Sequence, residues 1–177
     1  PGFARMMQGD RFFREIASNC WDETERIEEY AQFNTQVQVV CTIPVMFSYN
    51  AKPHDALEIG QFLNDHLSEL VARHPRHYVA LATVPMQDSD LAIQELKRAK
   101  ANGHVGVQIG SNINGLNLSE PQFFPFFKAC ADEGMAVMIH PWDMMGKKEM
   151  NKYWLPWLVG MPAETSRAAC SLIFGGV

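Results

Sequence analysis

MAVMIHPWDMMGKKEMNKYWLPW, residues 135–157, decides how the chain is read. Its first turn of sequence, Ala136-Val137-Met138-Ile139, is a short apolar run between Gly134 and Pro141. That is the pattern of a strand buried on both faces. His140 stands at the carboxyl end of the run, and an indole- and sulfur-rich loop follows it. Parallel α/β proteins place their chemistry just beyond strand ends, so a metal-competent imidazole here is the natural focus of a site.

Working outward, the pattern of strand then helix repeats. The first 19 residues carry Phe3, Phe12, Phe13 and Ile16 among Arg5, Arg11 and Arg14 without a clean period, and read as an excursion or loop. Asp22-Glu23-Thr24-Glu25 has the form of a capping box and opens a helix whose apolar face, Ile27, Tyr30 and Ala31, stops near Asn34. A strand is predicted over Val37–Ile43, ended by Pro44. Pro53 suits a first helical turn, and Ala56, Ile59, Phe62, Leu63, Leu67, Leu70 and Val71 continue at helical spacing. The same reading gives a strand over Tyr78–Val84, a helix over Asp88–Asn102 and a strand over Val105–Ile109. A loop over Gly110–Leu118 leads to a phenylalanine-rich helix stopped by Gly134, and a last helix starts at Pro162.

The order is one helix and then four βα units, which means parallel strands. An open doubly wound sheet and a (β/α)8 barrel both use it, and four strands complete neither. The fold expected is α/β, a partial (β/α)8 TIM barrel, with residues 1–177 a single incomplete domain. Both chain ends are read as cuts through a larger fold.

Composition removes several function classes. A hydrophobic share of 47% with 20% charged residues fits a packed soluble domain rather than a disordered one. A net charge of −5, with no basic cluster denser than Arg73–His77, argues against nucleic acid as a partner. No apolar run approaches the about 20 residues that span a bilayer, so no membrane partner is expected. Cys20, Cys41, Cys130 and Cys170 form no CxxC pair and read as free thiols in a reducing, cytoplasmic compartment.

Topology sorts the histidines. His74, His77 and His104 precede strands and belong to the face opposite the chemistry. His54 and His66 fall on the second helix, His54 shortly after a strand-exit loop. His140 alone leaves a strand on the catalytic side, where it is either a metal ligand or bonded to neighbouring backbone. A zinc site needs three or more protein ligands, and no H-x-H or H-E-x-x-H occurs, so on spacing alone the metal reading fails. Asp143 as a base, Trp142, Trp154 and Trp157 as pocket walls, and Arg14 as a carboxylate clamp each compete with a plain surface or packing role. No P-loop, GxGxxG or nucleophile elbow is present.

Six segments carry a resemblance. They are Asn19–Asp22, Pro44–Tyr49, Gly106–Gly110, His140–Met144, Tyr153–Trp157 and Met161–Thr165. Together and in order they resemble the α-amino-β-carboxymuconate-ε-semialdehyde decarboxylase family of the amidohydrolase superfamily, over nearly the whole chain. The resemblance implies a zinc-dependent nonoxidative decarboxylase of a small dicarboxylate semialdehyde, in tryptophan (kynurenine) or nitrobenzoate catabolism. It implies that His140 is the middle-strand metal ligand and that Arg14, Met144 and Trp157 bind substrate. The remaining zinc ligands and the acid/base residue are then expected outside this chain, which would hold no catalytic residue and be inactive alone. A homodimer is expected for the complete protein. Gln32-Phe33-Asn34-Thr35 departs from the usual glycine-containing turn, with Asn34 able to adopt the same conformation. A related hydrolase, an aromatic-acid decarboxylase, and a non-catalytic fragment are the alternatives.

Overall fold

A computed structural model describes residues 2–177; Pro1, the first residue of the predicted N-terminal excursion, lies outside them. The strands and helices run β1 (Phe3–Gln8), β2 (Arg11–Ala17), α1 (Glu23–Ala31), β3 (Gln38–Val40), α2 (Pro53–Arg73), β4 (Tyr78–Thr83), α3 (Ser89–Ala101), β5 (Gly106–Gly110), β6 (Asn112–Ile113), β7 (Leu116–Asn117), α4 (Phe124–Glu133), β8 (Ala136–His140) and α5 (Met161–Gly175). β3, β4, β5 and β8 form one parallel sheet in that order, so α2, α3 and α4 are its crossover connections.

Local chemistry sets the element ends. The Asp22 carboxylate accepts from the backbone N–H groups of Thr24 (3.0 Å) and Glu25 (2.9 Å), the predicted cap of α1. Asn34 takes φ +56°, the left-handed conformation the sequence assigned to it. Asp88 caps α3 through Leu91 N (3.0 Å), and Gly134 closes α4 at φ +63°.

Register sorts the two faces of the sheet. Val107 and Ile109 pack with Ala82 and Val84 against Ala92, Leu96 and Phe126 of the helical layer, and Val137 and Ile139 join them. Side chains alternate along a strand, so Leu81, Thr83, Gly106, Gln108, Gly110, Ala136, Met138 and His140 share the other, concave face. The pairings Thr83↔Gln108↔Met138 and Gly110↔His140 place them in adjoining rows.

Three expectations are corrected. The N-terminal excursion is an antiparallel hairpin, β1 with β2, turning at Gly9 with φ +58°. None of its residues is buried, only Ala4, Met6, Ile16 and Ala17 being half-buried, so no core imposes a hydrophobic period on them. The strand expected over Val37–Ile43 ends at Val40. His77 O accepts from Gln38 N on the β3 side of β4, whereas Ala80 O accepts from Val105 N on the β5 side. Thr83 therefore faces the β3 side, and there Asn64 of α2 donates to Thr83 O (2.9 Å) and accepts from Thr83 N (2.9 Å). One buried amide side chain supplies the rung that β3 does not. Finally, β8 is not buried on both faces: it is an edge strand among the described residues, and Ala136 and Met138 are exposed on its concave side. The Gly110–Leu118 loop also holds the small β6–β7 hairpin. Of the cysteines, all free, only Cys130 is buried.

Candidate active site at the strand exits

The loops that leave the carboxyl ends of the four parallel strands are tied to one another. Tyr49, after β3, accepts at its hydroxyl from Gly110 N at the end of β5 (3.0 Å), and its carbonyl accepts from Asn114 Nδ2 (2.8 Å). Gln87, after β4, donates to Ser48 O (3.1 Å) and Ala51 O (3.2 Å). Phe47 stacks on Tyr49 with ring centroids 5.2 Å apart, and Trp142 meets both edge-on. Burial holds the Tyr49 phenol well above its ordinary range, so it serves as a neutral strut. Gly110 leaves little room at this junction. A Cβ there would lie 3.0 Å from Trp142 Cβ and 3.1 Å from Tyr49 Cε2.

His140 sits at the end of β8 on the concave face, half-buried, with Nδ1 2.8 Å from Pro141 O. A carbonyl only accepts, so in the neutral imidazole Nδ1 is the nitrogen that carries the proton and Nε2 the one with the lone pair. The residues after it are held by a buried polar cluster. Ser111 N donates to His140 O (2.8 Å). Trp142 N donates to Ser111 Oγ (3.0 Å), and Trp142 O accepts from Asn112 Nδ2 (2.7 Å). At the centre is Glu164 of α5, with no exposed surface. It accepts from Ser111 Oγ (2.8 Å), Asn112 Nδ2 (3.1 Å), Arg167 Nη2 (2.8 Å) and Met145 N (3.0 Å).

A profile of the amidohydrolase family matches residues 15–177. The chain belongs to the amidohydrolase family. It is 54% identical over 175 residues to 2-amino-3-carboxymuconate-6-semialdehyde decarboxylase of Dictyostelium discoideum, covering 98% of this chain and 49% of that protein. It is 32% identical over 133 residues to a gamma-resorcylate decarboxylase of Rhizobium radiobacter, covering 69% of this chain and 41% of that one. The chain thus spans about half the length of the relatives it matches. Crystalline dihydroxybenzoic acid decarboxylase of Polaromonas sp. JS666, which carries bound manganese, superposes with a TM-score of 0.77 at 24% identity, over 84% of this chain and 48% of that one. That likeness is one of fold, and it makes the parallel sheet of this amidohydrolase a partial barrel.

Within this amidohydrolase frame the expected substrate residues are spread out. Met144 packs over Gly160, where a Cβ would lie 3.1 Å from Met144 Cβ, so it is pinned to the start of α5. Trp157 stands in the π-helical segment Pro156–Gly160 that runs into α5, 54% exposed, its ring 5.0 Å from that of Trp154. Arg14 is exposed on β2 with its guanidinium 5.8 Å from the Phe13 ring centroid. Among the described residues no hydrogen bond or ion pair joins it to the His140 segment. Asp143 is paired with Lys147 on the surface rather than aimed at the site. His54 and His66 are exposed on α2, and His74 pairs with Glu23 (3.3 Å), away from the site.

His104, before β5, is buried, with Nδ1 3.2 Å from Ala99 O. Burial holds its imidazole below the ordinary histidine range. The unfolded chain takes up this proton near pH ~6.5 whereas the folded one resists it. Its contribution to stability is therefore full above that pH and lost as pH falls below it. Melting curves between about pH 7.5 and 5.5 are expected to fall more steeply for the native protein than for His104→Gln; parallel slopes would count against this.

The described residues hold no group of three or more His, Cys, Asp or Glu able to bind a metal. Among the described residues, His140 is the histidine at a parallel-strand exit, and its Nε2 makes no hydrogen bond there. Sequence reasoning missed Glu164. Its signal was present: Glu164, Ala168 and Leu172 share one helical stripe, and an acid on an apolar stripe demands buried partners. Arg167 is a partner within α5, but Ser111 and Asn112 come from the β5 exit and Met145 from the loop after β8, which no pattern within α5 reveals.

Proposed function

We propose that this chain is part of a metal-dependent nonoxidative decarboxylase acting on aminocarboxymuconate semialdehyde. The observation that carries it is the 54% identity to the Dictyostelium decarboxylase over 98% of the chain, which includes the His140 exit. His140 is proposed as one metal ligand, through Nε2, with its Nδ1–H held by Pro141 O. A bound metal supplies a Lewis acid and a water of lowered pKa. Arg14 is proposed to clamp a substrate carboxylate bidentately, and Trp157 and Met144 to wall the pocket and keep water out. In the reaction the bond to the departing carboxylate breaks, CO2 leaves, and a proton replaces it on the carbon. No residue of this chain is assigned that proton. Zinc as the ion, a homodimer of the complete protein and a cytoplasmic location belong to the same proposal and rest on the resemblance.

The test uses the full-length protein and follows the loss of the semialdehyde's absorbance with and without a chelator. Chelation is expected to stop turnover and zinc to restore it; undiminished turnover after chelation overturns the proposal. The likeness to a gamma-resorcylate decarboxylase favours a second reading, a carboxylated aromatic acid as substrate. Arg14→Ala discriminates. Losing a charge-assisted pair, worth ~1.5–3 kcal/mol, raises KM about 10- to 100-fold for the semialdehyde diacid if Arg14 holds its second carboxylate. An unchanged KM for that diacid, with turnover of the aromatic acid, supports the second reading.

A further inference from the structure

Two carboxylates in the described chain have no exposed surface, Glu95 and Glu164. Glu95 lies in the helical layer, where Asn64 (2.7 Å) and Arg98 (2.8 and 2.9 Å) satisfy it. Glu164 is different, because everything it holds except Arg167 belongs to the strand-exit rim. The Pro141–Trp142 peptide is the key element. Its N–H end is fixed on Ser111 Oγ at 3.0 Å, and its carbonyl end lies 2.8 Å from His140 Nδ1. A trans peptide is planar, with its N–H and C=O pointing in opposite directions. Fixing the Trp142 N–H therefore aims the Pro141 carbonyl at the imidazole.

Ser111 has one hydroxyl proton. It can go to Glu164 Oε2, at 2.8 Å, or to Trp142 O, at 3.2 Å. The carboxylate is the nearer and stronger acceptor, and taking that proton turns a Ser111 lone pair toward the Trp142 N–H. Asn112, which also donates to Glu164, holds Trp142 O from the other side. Met145 N, on Glu164 Oε1, fixes the next bend of the loop.

We propose that Glu164 is a positioning residue for His140: through Ser111, Asn112 and the Trp142 peptide it holds the Pro141 carbonyl on Nδ1, which leaves Nε2 as the coordinating nitrogen. This rests on the reading of His140 as a metal ligand given above. Outer partners of this kind set tautomer and ring orientation, and their loss typically costs 10- to 100-fold in metal affinity. Glutamine at 164 keeps the size but has one acceptor oxygen, so an NH2 faces either Met145 N or the Ser111–Asn112–Arg167 donors.

The test compares full-length wild type with Glu164→Gln, Ser111→Ala, the double variant and Glu95→Gln. Zinc affinity is measured by chelator competition, and the His140 tautomer by 15N chemical shifts of histidine-labelled apoprotein. Glu164→Gln and Ser111→Ala are each expected to weaken zinc binding about 10- to 100-fold and to mix the His140 tautomers. The double variant should lose little more than either single one, and Glu95→Gln should leave zinc affinity and tautomer as in wild type. Should Glu164→Gln not fold, Ser111→Ala carries the same test. Wild-type zinc affinity and a single Nδ1–H tautomer in these variants would overturn the proposal. A wild-type protein that binds no zinc would instead sink the metal-ligand reading, with the apoprotein tautomer still deciding the role of Glu164.

Discussion

His140→Ala in the full-length protein is expected to lower kcat by about three orders of magnitude or more while leaving the fold nearly untouched. Metal polarisation of a substrate is worth several kcal/mol, and ~4 kcal/mol is about a thousandfold in rate. Loss of one ligand from a small set removes most of that. The fold has little stake in the ring. Its one polar partner in the described chain is the adjacent Pro141 carbonyl, and it faces the concave side rather than the core. A stability change within about 1 kcal/mol is therefore expected, read by urea unfolding, together with loss of stoichiometric metal. Retained turnover with retained metal would end the assignment of His140.

Strands β4, β5 and β8 were readable because their helix-facing residues, such as Ala82, Ile109 and Val137, recur between strong punctuation at Pro85, Gly110 and Pro141. The place of His140 at a strand exit was legible from that punctuation, whereas the face its ring takes was not, because the run read as buried on both sides. What escaped was every feature that depends on a distant partner. β3 stops early because Asn64, 19 residues before Thr83, takes over the ladder groups of that residue. The N-terminal hairpin escaped because none of its residues is buried, which leaves no clear period to read, and only Gly9-Asp10 marked the turn. Glu164 escaped for the same reason as Asn64. A buried polar side chain is unfavourable until its partners arrive, and Ser111 stands 53 residues away.

These two kinds of residue also divide the labour of the rim. Tyr49 and Glu164 fix loop backbones from opposite sides of the β5 exit, at Gly110 N and at Met145 N. Trp142 lies between them, with its ring on Phe47 and Tyr49 and its peptide groups on Ser111 and Asn112. Rigid support of this sort lets a loop hold a ligand at the geometry that chemistry needs. It also means that moving β5 against β8 would disturb the site as a whole.

Gly106→Ala makes that movement and is expected to have the largest effect on stability. Gly106 pairs with Ala136 on one side and Leu81 on the other. A Cβ on it would collide with the Ala136 carbonyl oxygen and lie 2.9 Å from Leu81 Cδ2 and 3.0 Å from Ala136 C. Leu81 can change rotamer, but the Ala136 carbonyl is backbone of the neighbouring strand and can retreat only if β8 does. Overpacking of this kind costs ~1–3 kcal/mol where side chains can yield, and more where they cannot, against a total of about 5–15 kcal/mol for a folded domain. A loss of about 3 kcal/mol or more in urea unfolding is the expected result, with activity falling alongside because His140 ends the displaced strand. Gly9→Ala is the comparison: its φ of +58° imposes strain of about 1–2 kcal/mol, but a Cβ there meets nothing within 4 Å. If Gly106→Ala unfolds at the wild-type urea concentration, β5 and β8 do not pack as closely as their register implies. His140 would then owe its place to something other than that pairing.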